Sequence, residues 1–156
     1  MSNINQDLLA PCGLYCGVCA IHIADRDSNL KFKNILVDVY KPVSKTADDI
    51  KCTGCMSENQ EGIFGYCKAC PIRDCILKRG FYSCSQCDDF PCKYIDRFPI
   101  PVGKRVILRA IPRWKEIGTE KWVEEEEKRY HCPECNNSLF RGAKRCNKCE
   151  ISVDLD

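Results

Sequence analysis

Cysteine spacing constrains this chain more than any other feature of its sequence. Fifteen of the 156 residues are cysteines, and they fall in short pairs and triplets. Two thiols separated by two residues can bind one ion from a single tight turn, so this spacing is typical of metal sites. The cysteines form five groups: Cys12, Cys16 and Cys19; Cys52 and Cys55; Cys67, Cys70 and Cys75; Cys84, Cys87 and Cys92; and Cys132, Cys135, Cys146 and Cys149.

The apolar content indicates that metal stabilises the fold. The apolar fraction is 44%, but this figure counts all fifteen cysteines. The remainder is thin for a core that must offset the entropy of ordering the chain, so cross-links or metals are expected to contribute. Disulfides are characteristic of secreted proteins, and the first residues have neither the basic nor the apolar part of a signal peptide. No apolar run reaches the ~18 residues of a membrane span. We therefore predict metal-bound thiolates in a cytoplasmic protein.

Two apolar stripes predict helices. Leu30, Ile35, Leu36, Val39 and Tyr40 lie at helical spacing before Pro42, and Thr46 with Asp49 resembles a capping box. The second stripe consists of Val106, Ile107, Ala110 and Ile111. Its helix is expected to end or kink at Pro112. A further helix over about 120–130 is expected to follow, with Thr119 as its N-cap.

The rest of the chain predicts irregular structure. Residues 51–98 are interrupted by glycine and proline, so we expect loops, knuckles and a short helix beginning at Pro91. The glutamates at 124–127 are expected to form a solvated helix face. The chain as a whole predicts a small metal-stabilised α+β fold, irregular, with several zinc knuckles and helices. Its three parts are a cysteine-rich metal-binding domain over residues 1–98, a helical connector over 99–130 and a separate zinc-ribbon module over 131–156.

The C-terminal cysteines have the spacing of a zinc ribbon. Cys132 and Cys135 form one pair, and ten residues separate them from the pair of Cys146 and Cys149. Each pair lies on a turn, and two such turns supply the tetrahedral four-sulfur set that Zn²⁺ accepts. A closed four-thiolate site has no open coordination position, so this site is predicted to be structural.

The eight central cysteines allow two pairings. In the first, one site takes Cys52, Cys55, Cys67 and Cys70, and another takes Cys75, Cys84, Cys87 and Cys92. In the second, Cys52 and Cys55 join Cys84 and Cys87, and the remaining site takes Cys67, Cys70, Cys75 and Cys92. Spacing does not distinguish the two, and both predict at least two metal ions.

The N-terminal triplet is one ligand short of a closed site. Cys12, Cys16 and Cys19 supply three thiolates, and His22 follows one helical turn after Cys19. Either His22 completes a three-thiolate, one-imidazole zinc shell, or it is a helix histidine bonded to a backbone carbonyl. Bridging thiolates in a multinuclear cluster are a third interpretation. With His22 the chain offers sixteen ligands for four sites, and the expected content is three to four Zn²⁺ per chain.

Other chemistry is conceivable at the same triplet. An iron–sulfur cluster or a thiol redox centre is the main alternative, and a small zinc hydrolase with an open position is a weaker one. The triplet spacing also occurs in radical S-adenosylmethionine enzymes, but this chain shows no strand–helix alternation to build their barrel. Phosphate-binding glycine loops and a deaminase motif are absent from the sequence. The sequence therefore predicts no catalytic residue.

Several motifs together resemble a known family. They are Cys12-Gly-Leu-Tyr-Cys16-Gly-Val-Cys19, Cys52-Thr-Gly-Cys55, Cys70-Pro-Ile-Arg-Asp-Cys75 and Cys84-x2-Cys87-Asp-Asp-Phe-Pro-Cys92. The chain is similar here, over roughly residues 10–98, to a cysteine-rich prokaryotic family of unknown function with a CGLYC-x2-C opening and an FPC close. The region from Trp114 onward resembles longer members that carry a C-terminal zinc ribbon. The resemblance implies a small metal-binding protein with no assigned reaction.

The function expected from these features is that of a zinc-binding scaffold or interaction module. Its partner is expected to be another protein or RNA, with no membrane and no small-molecule substrate indicated. The net charge of +2 permits nucleic acid without indicating it. A candidate phosphate-and-stacking surface on the ribbon consists of Phe140, Arg141, Lys144, Arg145 and Lys148. The alternative for these residues is an ordinary solubilising surface.

Overall fold

The helical periodicity of the sequence gives a mostly helical protein. The computed structural model describes residues 3–156, and the α-helices in this range run in the following order. They are α1 (Ala20–Arg26), α2 (Leu30–Val39), α3 (Gly65–Lys68), α4 (Pro71–Arg79), α5 (Lys93–Asp96), α6 (Pro101–Ile117) and α7 (Thr119–Arg129). Short 3-10 turns lie at Gln6–Leu8, Cys16–Val18, Ala47–Asp49, Gln60–Gly62 and Cys84–Gln86.

Extended structure is confined to the C-terminal module. Over residues 3–156 it consists of two isolated antiparallel bridges, His131 with Ser138 and Arg145 with Ser152. The predicted α+β class is therefore not supported. The physical reason is that tight cysteine turns use their backbone groups locally, so few residues remain for a strand ladder.

The first stripe forms a helix, but its buried face differs from the predicted one. Asn29 caps α2 by accepting a hydrogen bond from the Phe32 amide at 3.0 Å. The buried residues of α2 are Leu36 and Val37. Ile35 and Val39 of the predicted stripe are more than half exposed, because α2 packs through one narrow face. The capping box of Thr46 and Asp49 is confirmed at the next turn.

The central region is more ordered than expected. Helix α4 begins with Pro71 at its first position and ends at Gly80, whose φ of 68° is left-handed. The short helix predicted to start at Pro91 begins instead at Lys93, with Cys92 as its N-cap. The cysteine turns of this region are therefore joined by helices rather than by loops alone.

The second stripe is buried as predicted, but its helix continues past Pro112. Val106, Ile107, Ala110 and Ile111 are all buried, and α6 extends to Ile117. Pro112 is exposed, so the carbonyl that loses its helical donor can bond to water, while Trp114 continues the buried stripe. Gly118, not Thr119, is the N-cap of α7.

One glutamate of the predicted solvated run is buried. Glu126 is 1% exposed and pairs with Arg109 of α6, Nη1 to Oε1 at 2.5 Å. It follows Trp122 by four residues and therefore lies on the buried face of α7. Glu124, Glu125 and Glu127 are exposed as expected.

The α6–α7 hairpin lies against the N-terminal cysteine segment. The Tyr15 ring packs edge-on to Trp122 with centroids 6.0 Å apart. A Cβ at Gly13 would lie 3.1 Å from the Cβ of Ala110, so this backbone passes close to α6. The C-terminal module contacts the same segment, since the Arg141 amide donates to the Val18 carbonyl at 2.9 Å. These contacts join all three parts into which the sequence divides the chain.

Candidate metal centres

The C-terminal cysteines form a four-thiol cluster. The Sγ atoms of Cys132, Cys135, Cys146 and Cys149 all lie within 4.8 Å of one another. Two Sγ–Sγ distances, Cys132 to Cys149 and Cys135 to Cys146, are each 3.6 Å. A Zn–S bond of about 2.3 Å implies about 3.8 Å between sulfurs in a tetrahedral site. The donor set and its spacing therefore fit one tetrahedral metal ion.

Two equivalent turns build this cluster. In each, the amide of the first cysteine donates to the carbonyl five residues later, at 2.8 Å from Cys132 to Asn137 and 2.9 Å from Cys146 to Ile151. The residue after the second cysteine has a left-handed φ, 59° at Asn136 and 66° at Glu150. The backbone pattern thus repeats at an interval of fourteen residues and directs two thiols from each turn to one point.

The second turn also favours the thiolate form of Cys146. The Lys148 amide donates to the Cys146 Sγ at 3.4 Å. Amide donors from Cys149 and Lys148 lower the pKa of the Cys146 thiol to about 6. The side-chain Nδ2 of Asn137 lies 4.0 Å from the same sulfur. Such N–H donors stabilise a metal-bound thiolate without occupying a ligand position.

A second set of four thiols lines a small cavity. The cavity has a volume of about 20 Å³, comparable with one water molecule. Its thiols are those of Cys75, Cys84, Cys87 and Cys92, and its other walls are the side chains of Ile72, Ile76, Phe90 and Tyr94. Arg79 Nη1 lies 3.5 Å from the Cys87 Sγ at the edge of this set. The first of the two predicted pairings assigns these four cysteines to one site. Within residues 3–156, however, only the C-terminal cysteines have three or more ligand atoms within 4.8 Å of one another, so this pairing stays a prediction.

The N-terminal triplet lies among the other central cysteines. Cys12, Cys16 and Cys55 are buried in the main apolar core, and Cys70 packs against it. The Cys55 amide donates to the Cys16 Sγ at 3.4 Å. Burial raises the pKa of the Cys12 thiol to about 12 and that of the Cys84 thiol likewise to about 12. A cation is therefore needed to hold these buried sulfurs as thiolates at neutral pH.

His22 makes the backbone contact that was the alternative to metal ligation. Its Nδ1 lies 2.8 Å from the Cys52 carbonyl oxygen. The carbonyl can only accept, so Nδ1 carries the proton and Nε2 is the nitrogen left for any ligation. The role of His22 as a ligand stays a prediction.

Arg141 lies against the N-terminal cysteine segment. Its Nη1 donates to the Tyr15 carbonyl at 3.1 Å. Burial opposes the charge of Arg141, but the thiols of Cys19, Cys16 and Cys12 and the phenol of Tyr130 raise its pKa. Phe140 also turns inward and packs on Phe32 with ring centroids 5.0 Å apart. Phe140 and Arg141 are thus partly buried, whereas Lys144, Arg145 and Lys148 are exposed. Binding of nucleic acid by this surface stays a prediction.

The fold and the C-terminal thiol cluster define a small, mostly helical, cysteine-rich protein with a site compatible with metal binding. A family model described as "Protein of unknown function (DUF3795)" matches residues 8–97, more than half of the chain, and the protein belongs to this family. The matched region ends before the C-terminal cluster. A search of curated proteins gave no match, and a search of solved structures also gave none. Within residues 3–156 no helix is both long and apolar enough to cross a membrane.

Proposed function

We propose that this protein is a zinc-binding scaffold whose metal ions are mainly structural and hold a surface for a macromolecular partner. The observation that supports it most is the C-terminal cluster, where four thiols at tetrahedral spacing leave no position for a substrate. Four-thiolate shells also donate much charge to the metal, which makes it a poor Lewis acid. We infer that the cluster and its two turns form a zinc ribbon, in which the ion adds to the small apolar cluster of Leu139, Ala143 and Val153.

Metal identity is the first test, because a four-thiolate site accepts zinc or iron. Purification without oxygen, followed by elemental analysis and an absorbance spectrum, should give a colourless protein with about three to four zinc ions per chain. An iron-containing protein absorbing near ~400 nm would instead favour the iron–sulfur or thiol redox alternative at the N-terminal triplet.

A variant pair tests the ribbon separately. Cys149→Ser should lower the zinc content by about one ion per chain, because it removes one of four ligands. Ser152→Ala lies in the same turn and leaves all four thiols in place, so its zinc content should equal that of the parent protein. Equal zinc in Cys149→Ser and the parent would contradict the proposed site.

A small zinc hydrolase is less well supported than a structural metal site. It requires an open fourth position beside Cys12, Cys16 and Cys19, yet Cys16 contacts Cys55 directly. The Cys55 thiol would therefore compete with water for any metal held there.

The exposed apolar side chains of α2 favour a protein over RNA as the partner. Leu30, Ile35 and Val39 on α2 are 64%, 54% and 65% exposed, whereas Phe140 and Arg141 face inward. Binding of single-stranded RNA at low salt, with affinity that falls as salt rises, would reverse this preference.

A further inference from the structure

Helix α2 and the turn after it carry a group of apolar side chains that no part of residues 3–156 covers. Eight large apolar side chains are exposed in this range, and four of them fall within fourteen residues: Leu30, Ile35, Val39 and Val43. The other four lie singly on α3, α4, α6 and the turn that follows α4. Single exposed apolar side chains are ordinary on a protein surface, whereas a group of them marks contact with another molecule.

The opposite side of α2 is anchored to the protein, so this surface is preformed. Leu36 and Val37 are buried, and Lys33 Nζ pairs with Asp25 Oδ1 of α1 at 2.8 Å. Asn29 caps the start of the helix. The exposed face cannot turn inward without breaking these contacts, and binding of a partner to it requires little further ordering of α2.

Two charges of opposite sign lie on this same face of α2. Leu30, Lys31, Asn34, Ile35 and Asp38 line one shallow concavity along the helix. The midpoint between Lys31 and Asp38 falls beside Ile35, and each charged residue lies about 5 Å from that midpoint along the helix axis. The face therefore has an apolar centre with a cation on one side and an anion at the same distance on the other.

We propose that α2 binds α2 of a second copy of this chain, antiparallel, about a two-fold axis next to Ile35. Such an axis inverts position along the helix, so Lys31 faces the partner's Asp38, Asp38 faces the partner's Lys31, and Ile35 packs on the partner's Ile35. Parallel packing would instead place like charges opposite each other, which is unfavourable. The proposal rests on the proposed function, because it identifies a second copy as the macromolecule that this surface binds.

The contact is small, which determines how tightly the two copies bind. Helix α2 has ten residues and is about 15 Å long, so one face of it buries less than the roughly 800 Å² per partner of a standard interface. Asp38 also pairs with Lys41 of its own chain at 2.7 Å, but these side chains are 74% and 64% exposed, and such a pair is weak. The dimer is therefore expected to be weak and to form in proportion to protein concentration.

Sedimentation velocity of the zinc-loaded protein over the micromolar range tests the dimer. We expect the average mass to rise from that of a monomer towards that of a dimer as concentration increases. Ile35→Glu places two carboxylates at the two-fold axis and should give a monomer with the zinc content and helicity of the parent protein. Leu108→Glu changes an exposed leucine of α6 and should dimerise like the parent. A parent protein that stays monomeric, or an Ile35→Glu variant that still dimerises, would overturn the proposal.

Charge reversal tests the antiparallel arrangement and leaves the apolar side chains in place. Lys31→Asp puts carboxylates opposite each other, and Asp38→Lys does the same with ammonium groups, so each variant should dimerise about tenfold more weakly than the parent protein. The two variants are complementary to each other, and an equimolar mixture should form mixed dimers with about the parent affinity. Single variants that dimerise as tightly as the parent, or a mixture without recovery, would overturn the antiparallel pairing.

The zinc content of the same samples distinguishes failure of the dimer from failure of the proposed function. A protein that holds its zinc but stays monomeric at every concentration would overturn the α2 contact alone and leave the metal-stabilised scaffold intact. A protein that binds no zinc would overturn the proposed function, whatever its oligomeric state.

Discussion

The indole rings of Trp114 and Trp122 stack with centroids 4.0 Å apart and an interplanar angle of 5°. This stack closes the α6–α7 hairpin, and Trp114 Nε1 also donates to Thr119 Oγ1 at 2.8 Å across the intervening turn. The edge of Tyr15 then packs on Trp122. The stack therefore packs, through Trp122, against the segment that carries Cys12 and Cys16.

Two substitutions at Trp122 should distinguish the contribution of its ring packing to stability from the contribution of its indole N–H. Trp122→Ala should lower the free energy of unfolding of the metal-loaded protein by about 3–5 kcal/mol, as expected for a buried tryptophan. The indole N–H of Trp122 has no hydrogen-bond partner among residues 3–156, so Trp122→Phe removes an unsatisfied donor and should cost much less. Urea unfolding followed by circular dichroism measures both, and equal losses in the two variants would contradict this account.

Gly54 should tolerate no side chain. Its φ is 122°, and a Cβ there would collide with the Asp7 carbonyl, which also accepts a hydrogen bond from the Met56 amide at 3.0 Å. Gly54→Ala should therefore distort the turn between Cys52 and Cys55. We expect it to destabilise the protein by about 1–3 kcal/mol more than Gly142→Ala does.

Gly142 is the matched control for this comparison. Its φ of 86° is also left-handed, but a Cβ there meets no atom of residues 3–156 within 4 Å. Gly142→Ala thus reports the backbone strain alone, about 1–2 kcal/mol. Thermal unfolding and zinc content of the two variants make the comparison, and similar losses would show that contact with Asp7 is unimportant.

Sequence patterns predicted those elements that are determined by residues close together in the chain. The paired cysteines at 132–149 and the stripe of α6 carry their spacing in the sequence, and the structure has both. Arg141 and Glu126 could not be placed in this way, because their partners Tyr15 and Arg109 lie 126 and 17 residues away. The grouping of Cys16 with Cys55 is likewise fixed by packing between segments 39 residues apart.

Arg141 should control how firmly the N-terminal thiols retain their metals. Arg141→Met removes the guanidinium that bonds to Tyr15 and should weaken metal retention by about 10–100-fold, the usual effect of losing an outer-sphere partner. Arg141→Lys keeps the charge and should lose less. Lys144→Met removes an exposed cation from the same module and should release zinc to a chelator at the parent rate. Identical release from all three variants would exclude a role for Arg141.

Tyr40 should make stability fall at alkaline pH. Burial raises its pKa from 10.0 to about 12, and its ring packs edge-on to Phe64. Between these two pH values the folded state keeps a proton that the unfolded state has lost, so the free energy of unfolding falls as pH rises. Tyr40→Phe should flatten this slope in unfolding experiments, whereas Tyr82→Phe, at an exposed ring, should leave it unchanged. A slope that survives in Tyr40→Phe would assign it to another group.

The ion pair of Arg109 and Glu126 should contribute more to stability than the ion pair of Arg113 and Glu125 on the same two helices. Glu126 is 1% exposed and bonds to Arg109 through both carboxylate oxygens, so Glu126→Gln leaves a partly buried guanidinium without its counter-charge. We expect a loss of roughly 2–3 kcal/mol in the free energy of unfolding. Glu125→Gln breaks the equivalent pair with Arg113, where both side chains are more than 40% exposed and water screens the charges. It should change stability little, and a comparable loss in both variants would show that burial does not distinguish the two pairs.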